Sequence, residues 1–330
     1  MPPLHDRFGR RITRLRLGVT DACNYRCTYC MPPGAVEVTP RGQLLTRDEA
    51  MRCVRVLQTV GVRAVRLTGG EPLVRRDICE YVRDLCAIPG IDDVALTTNG
   101  ELLGDLAAPL FQAGLRRINV SLDALDPETF SRIARGGSLA KVMRGIERTV
   151  ELGYPERKLN CVVMKGENDA QVLAIAEFAW AHGYTPRFLE VMPMGAAAIT
   201  WQGGFVAGRE TRARIESAHE LAPIGQDPSS GPATYYNVIS GTWSGREVGF
   251  ISSVSEPFCA TCDRVRITAQ GDFRPCMAAG PTISLRDLLR GGASDAALLA
   301  AMGLAVLEKP SGHRFREGIA GDPSMVSIGG

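Results

Sequence analysis

Between Arg14 and about Val191 the chain alternates short β-rich runs with longer helical stretches. That alternation restricts the fold to repeated βα units around a parallel sheet. The strand candidates are residues 14–18, 64–68, 94–98, 117–122, 159–164 and 187–191. The first intervening stretch opens with Thr46 and Glu49 in capping-box register and sets Ala50, Val54, Leu57 and Val60 along one face, which predicts a helix. Six strands are too few for a complete eight-stranded barrel, so periodicity leaves two options, a partial barrel or an open doubly wound sheet. With 330 residues the chain has room for either, plus an appendage. Beyond Gly195 the texture changes to Gly-, Ala- and Pro-containing loops, a helix near 209–218, strands between Tyr235 and Thr268, and closing helices around 284–290 and 294–302. We therefore expect one unit over 1–194 and a C-terminal region over 195–330. Segments 195–208 and 311–322 carry no pattern that assigns them a role.

The formal net charge of +2 excludes bulk attraction to nucleic acid, and the 45% apolar content excludes disorder. No apolar run has the length of a membrane span and the N-terminus lacks a secretory apolar core, so the expected location is the cytoplasm, with no membrane or nucleic-acid partner. Basic residues are almost all arginine, with lysine only at Lys141, Lys158, Lys165 and Lys309. Ten cysteines in such a chain point to metal ligation or buried packing rather than disulfides.

Their spacing separates the two uses. Cys23, Cys27 and Cys30 lie in one loop directly after the first strand. Structural zinc closes its shell with four ligands and no His lies nearby, whereas an iron–sulfur cubane held by three thiolates keeps one iron open to a ligand. A second set, Cys259, Cys262 and Cys276, has the same count. It reads as a second cluster, or as zinc completed by His313. Cys53, Cys79, Cys86 and Cys161 lack chelating spacing and read as buried packing.

Alternation along strands places polar residues on shared faces where a barrel would bury aliphatics: Arg14 with Arg16, Arg66 with Thr68, Asn119 with Ser121 and Asp123, and Lys158 with Asn160. Collectively these favour a cavity for a large anion. Arg264 and Arg266 flank Val265 on a strand and point the same way, a pair suited to phosphate. The chain has no Gly-x4-Gly-Lys-Ser/Thr loop, so nucleotide binding of the P-loop kind is excluded.

The spacing Cys-x3-Cys-x2-Cys, with Tyr29 before the last cysteine, resembles the radical S-adenosylmethionine superfamily. In that superfamily the open iron binds S-adenosylmethionine and one electron cleaves it to a 5′-deoxyadenosyl radical. Thr68-Gly-Gly-Glu-Pro72 resembles the superfamily's motif for the methionyl amino group, which implies that role for Gly70. Together with Leu96-Thr-Thr-Asn-Gly100, Arg116-Arg-Ile-Asn-Val-Ser-Leu-Asp123, Cys259-x2-Cys262-x13-Cys276 and the terminal Gly329-Gly330, these motifs resemble the GTP 3′,8-cyclase family over essentially the whole chain.

The resemblance implies a partial (βα)6 barrel closed by a C-terminal region, two 4Fe–4S clusters, and GTP held between them. It implies S-adenosylmethionine contacts from Tyr29, Gly70, Ser121 and Met192, and GTP contacts from Arg16, Arg66, Thr97, Lys158, Arg264, Val265 and Arg266. It implies abstraction of the ribose H3′, closure of C3′ on guanine C8, and formation of 3′,8-cyclo-7,8-dihydro-GTP as the first step of molybdenum cofactor biosynthesis. It further implies a Gly329-Gly330 tail acting in the active site, an external electron donor, and onward processing by a cyclic pyranopterin monophosphate synthase. A regular sixth strand would turn Arg187 away from Glu190 and Met192, so Arg187 is left outside the expected site. The sequence is compatible with a monomer or a homodimer. The rival readings are a radical maturase acting on a peptide, which would carry more C-terminal cysteines, and a non-enzymatic iron–sulfur or zinc regulator, which would not need the Gly-Gly-Glu-Pro turn.

Overall fold

A computed structural model describes residues 2–31, 34, 38–225, 231–278, 282–317, 325 and 328. Six parallel strands follow one another in chain order: β1 (Arg14–Gly18), β2 (Ala64–Thr68), β3 (Asp93–Thr98), β4 (Arg117–Ser121), β5 (Glu156–Val163) and β6 (Thr185–Glu190). Between them run α1 (Arg47–Gln58), α2 (Ile78–Cys86), α3 (Leu103–Gln112), α4 (Pro127–Ala134), α5 (Leu139–Glu151) and α6 (Val172–Ala181). The expected six strands are all present; β5 begins three residues and β6 two residues earlier than periodicity indicated.

Helix α1 starts where the capping box requires. The Glu49 amide donates to Thr46 Oγ1 at 3.2 Å and the Thr46 amide to Glu49 Oε2 at 2.8 Å, satisfying amides that the first helical turn leaves unpaired. Its buried face, with Cys53, Val54 and Leu57, packs into the main core with Leu15 and Leu17 of β1 and Val65 and Leu67 of β2. Alternation then leaves Arg16 and Arg66 on the opposite, inward side of those strands.

The C-terminal half does not form a separate layer. Its segments are α7 (Ala197–Gly204), α8 (Gly208–Glu216), β7 (Leu221–Gly225), β8 (Thr234–Val238), β9 (Glu247–Ile251), β10 (Arg264–Ile267), β11 (Asp272–Arg274), β12 (Ile283–Ser284), α9 (Leu285–Arg290) and α10 (Asp295–Leu307). Among the described residues they extend one sheet at both edges, in the order β12-β11-β10-β1-β2-β3-β4-β5-β6-β9-β8-β7. Strand β9 runs parallel to β6, pairing Arg187 with Gly249, and β10 runs parallel to β1, pairing Arg14 with Arg264 and Arg16 with Arg266. The last helices are tied to the first: Arg290 to Glu49 at 2.9 Å and Arg52 to Asp295 at 2.7 Å. The architecture is thus a parallel α/β partial barrel whose two free edges are covered by C-terminal strands.

Candidate active site between the two cysteine sets

All six motif cysteines line one cavity of about 310 Å³ on the inner side of the sheet. The first set enters it from the loop after β1. Within that loop the Cys30 and Met31 amides both donate to the Cys27 carbonyl at 3.0 Å, and the Arg26 and Thr28 amides donate to Ala134 and Ile133 carbonyls at the end of α4. Arg135, which caps α4 in a left-handed conformation at φ 48°, turns its guanidinium back onto the carbonyls of Arg26, Cys27 and Met31. A bulky residue pays for that backbone conformation, and here it anchors the cysteine loop through three carbonyls.

The Gly-Gly-Glu-Pro turn closes on the same loop. The Gly70 amide donates to the Thr20 carbonyl and the Glu71 amide to the Ala22 carbonyl, both at 2.8 Å. A Cβ on Gly70 would lie 2.4 Å from the Ala22 oxygen, so only glycine permits this approach. Glu71 is 1% exposed and accepts from the Thr98 hydroxyl, the Asn99 amide and the Leu73 amide at 2.7, 2.7 and 2.9 Å. Burial pushes its carboxyl up to about 7 although all three donors favour the carboxylate. Tyr29 donates its hydroxyl to Asp123 Oδ2 at 2.7 Å, while the Val162 amide donates to Oδ1 at 2.8 Å; burial pushes Asp123 up to about 6 against both donors. Tyr29, Gly70, Ser121 and Met192 all line the cavity.

Arginines supply the remaining wall. Arg16, Arg66, Arg187, Arg264 and Arg266 all line the cavity. Burial, followed by repulsion among these cations, lowers the guanidinium of Arg66 to about 9 and that of Arg266 to about 10, and holds Arg16 well below its usual value. The buried Arg66 Nε has no hydrogen-bond partner among the described residues. So many cations facing one space are suited to a polyanion.

Three expectations for this wall change. Val265 buries its side chain completely in the hydrophobic core, because it is the alternate residue between two cavity-facing arginines, so it offers the cavity only its backbone. Lys158 does not line the main cavity; its ammonium lies 5.4 Å from the centre of the Tyr235 ring. Arg187 does belong to the wall, donating to Asn160 Oδ1 at 2.9 Å and Asn119 Oδ1 at 2.6 Å. Gly249 permits this, since a Cβ there would lie 3.1 Å from Arg187 Cγ and 2.8 Å from the Tyr235 ring. Glu190 also lines the cavity, and it ties loops together by accepting from the Gly208, Val254 and Ser255 amides. Thr97 lines the cavity as expected.

Cys259 and Cys262 bracket a single 3-10 turn just before β10, and Cys276 follows β11. Burial would raise the Cys262 thiol, but the charges of Arg264 and Lys309 together with hydrogen bonds from Arg264 outweigh it and bring the thiol down to about 7. Burial pushes Cys23 up to about 11 and Cys30 to about 12. The donor chemistry fits clusters: each set offers three thiols, and N–H groups point at sulfur in both, from Tyr25 to Cys23 at 3.4 Å and from Lys309 to Cys262 at 3.6 Å. The zinc reading of the second set loses its fourth ligand, because His313 Nε2 lies 2.6 Å from the Ser253 carbonyl and its Nδ1 accepts from the Phe315 amide. Of the other cysteines, Cys53 and Cys161 are buried as expected, but Cys79 is partly exposed and Cys86, at the end of α2, is exposed. Gly329 and Gly330 lie outside the described residues; Ile328 before them is buried and its carbonyl accepts from Arg266 Nη1 at 3.3 Å.

Comparison with known proteins agrees with this geometry. The family model of the radical SAM superfamily matches residues 17–179, and that of Molybdenum Cofactor Synthesis C matches residues 184–315. Over 99% of its length the chain is 41% identical to all of the GTP 3′,8-cyclase of Pelotomaculum thermopropionicum, and over 94% it is 42% identical to 93% of GTP 3′,8-cyclase 1 of Pseudomonas aeruginosa. Among solved structures, Streptococcus suis SuiB bound to S-adenosylmethionine superposes with a TM-score of 0.61 over 93% of this chain and 71% of that one; at 14% identity this shows the fold alone. Fold and site thus define a radical S-adenosylmethionine enzyme. Within that superfamily, the chain belongs to the GTP 3′,8-cyclase family.

The thiol environments make a chemical prediction. In the iron-free chain at about pH 7.5, Cys262 should be alkylated by iodoacetamide well before Cys23 and Cys30, because the thiolate is the nucleophile. Peptide mapping by mass spectrometry reads the order, and faster labelling of Cys23 or Cys30 would contradict the assigned electrostatics.

Proposed function

We propose that this chain, a GTP 3′,8-cyclase, binds one 4Fe–4S cluster through Cys23, Cys27 and Cys30 and a second through Cys259, Cys262 and Cys276, with GTP between them. The supporting observation is that both cysteine sets and the arginine wall line one cavity. When bound, the clusters and S-adenosylmethionine supply the 5′-deoxyadenosyl radical that removes H3′ of GTP, after which C3′ closes on guanine C8 and a further electron and proton complete 3′,8-cyclo-7,8-dihydro-GTP.

The chain's own residues orient and enclose. Gly70 presents backbone at the first cluster because Glu71 and Thr98 fix its turn. Tyr29, steadied by Asp123, contacts S-adenosylmethionine together with Ser121 and Met192. Arg16, Arg66, Arg264 and Arg266 take the triphosphate, and Thr97, with Arg187 added to the expected set, contacts the remainder of the nucleotide. Lys158 acts from behind this wall, through Tyr235. An apolar cluster of Met194, Val254, Phe315 and Ile328, with Met192 and Met277 packed against it, excludes water from the radical. The Gly329-Gly330 tail, which follows the buried Ile328, acts in turnover. We assign residues 1–194 to radical generation and 195–330 to the second cluster and substrate closure. The enzyme acts in the cytoplasm, draws electrons from an external donor, and passes its product to a cyclic pyranopterin monophosphate synthase.

Anaerobic incubation with GTP, S-adenosylmethionine and a reductant should yield 5′-deoxyadenosine and a cyclised nucleotide together; 5′-deoxyadenosine that forms equally without GTP, with no nucleotide product, would remove the substrate assignment. Arg266→Ala should weaken GTP about tenfold to a hundredfold, the value of a charged hydrogen bond, and leave guanosine within a factor of about three. Calorimetric titration of both ligands checks this, and equal losses would take Arg266 out of the phosphate site.

A further inference from the structure

Lys309 follows α10 and is 1% exposed, a rare position for lysine unless its charge is answered. Its ammonium donates to the Arg264 carbonyl at 2.5 Å, the Pro275 carbonyl at 2.8 Å and Cys262 Sγ at 3.6 Å. These acceptors belong to three different pieces of the second cysteine set: Cys262 itself, the first residue of β10, and the residue before Cys276. Among the described residues no carboxylate forms an ion pair with Lys309.

Arg10 makes the contrast clear. It grips the same loop through the Cys259 carbonyl at 2.7 Å, and the Pro310 and Ser311 carbonyls at 2.6 and 3.1 Å. Its charge, however, is neutralised by Asp6 at 2.5 Å. Two cations therefore hold one loop, and only Arg10 brings its own anion. Burying an ammonium against neutral carbonyls alone is costly, so the position of Lys309 is favourable only when it faces negative charge. Thiolates of a cluster are the anions within reach, and N–H donors and positive charge at cluster sulfurs raise reduction potentials by stabilising the more negative reduced state.

We propose that Lys309 is a positioning residue for the second cluster, clamping Cys262, Arg264 and Pro275 together and raising that cluster's reduction potential through its charge. The inference rests on the two-cluster reading above. Its test begins with the full-length wild-type chain reconstituted anaerobically, which should carry about eight irons. A wild-type value near four ends the two-cluster reading before Lys309 is at issue.

Given eight, Lys309→Met and Lys309→Arg are compared by iron content and by redox titration followed by electron paramagnetic resonance. The expected result for Lys309→Met is one midpoint shifted to more negative potential with the other unchanged, or selective loss of half the iron; Lys309→Arg recovers the wild-type value. Full loading with both midpoints unmoved in Lys309→Met would overturn the proposal. So would equal impairment of the two variants, since packing rather than charge would then explain the lysine.

Discussion

The parallel pairing of β10 with β1 is the contact on which the site depends. It joins residues about 250 positions apart and sets Arg264 beside Arg14 and Arg266 beside Arg16. Because the two strands run the same way, the loop carrying Cys259 and Cys262 enters the pair at one end and the loop carrying Cys23, Cys27 and Cys30 leaves it at the other. The same ladder that adds an edge strand therefore separates the thiol sets by a strand's length, at about 3.3 Å per residue, and fills the interval with guanidinium groups. At the opposite edge, β9 on β6 does the corresponding work for Arg187, which gains the room left by Gly249.

The two ends of the cavity are electrostatically unlike. Around the first set, Asp123 and Glu71 are buried carboxyls, and the thiols of Cys23 and Cys30 are raised. Around the second, Arg264 and Lys309 draw the Cys262 thiol down. Between them, arginines that depress one another hold a space suited to a triphosphate. Such a wall is tolerable because backbone pairing and a continuous hydrophobic core behind the sheet hold it in place, and because a polyanion relieves the repulsion when it binds.

Much of this was legible in the sequence because it is local. Strand alternation, the Thr46–Glu49 box, both cysteine spacings and the same-face pairs are patterns within a few residues, and each reappears in the structure. Pairing partners across the chain are not local, so the extension of the sheet at both edges was invisible to periodicity. Parity set Arg187 apart from Glu190 and Met192, yet all three line the cavity, since β6 ends at Glu190 and the chain beyond it no longer alternates. Val265 was carried along with its arginine neighbours, although alternation puts it in the core. Arg135, Arg10 and Lys309 act on backbone carbonyls, which any sequence supplies at every position, so no motif announces them. The scarcity of lysine, four in the chain, was the one faint signal.

The proposed placement of GTP in the cavity between the two cysteine sets has a direct isotopic consequence. GTP carrying deuterium at C3′ should transfer that label to 5′-deoxyadenosine as the cyclised nucleotide forms, read by mass spectrometry of both products. Unlabelled 5′-deoxyadenosine beside a nucleotide that keeps its deuterium would contradict the placement of GTP in this cavity.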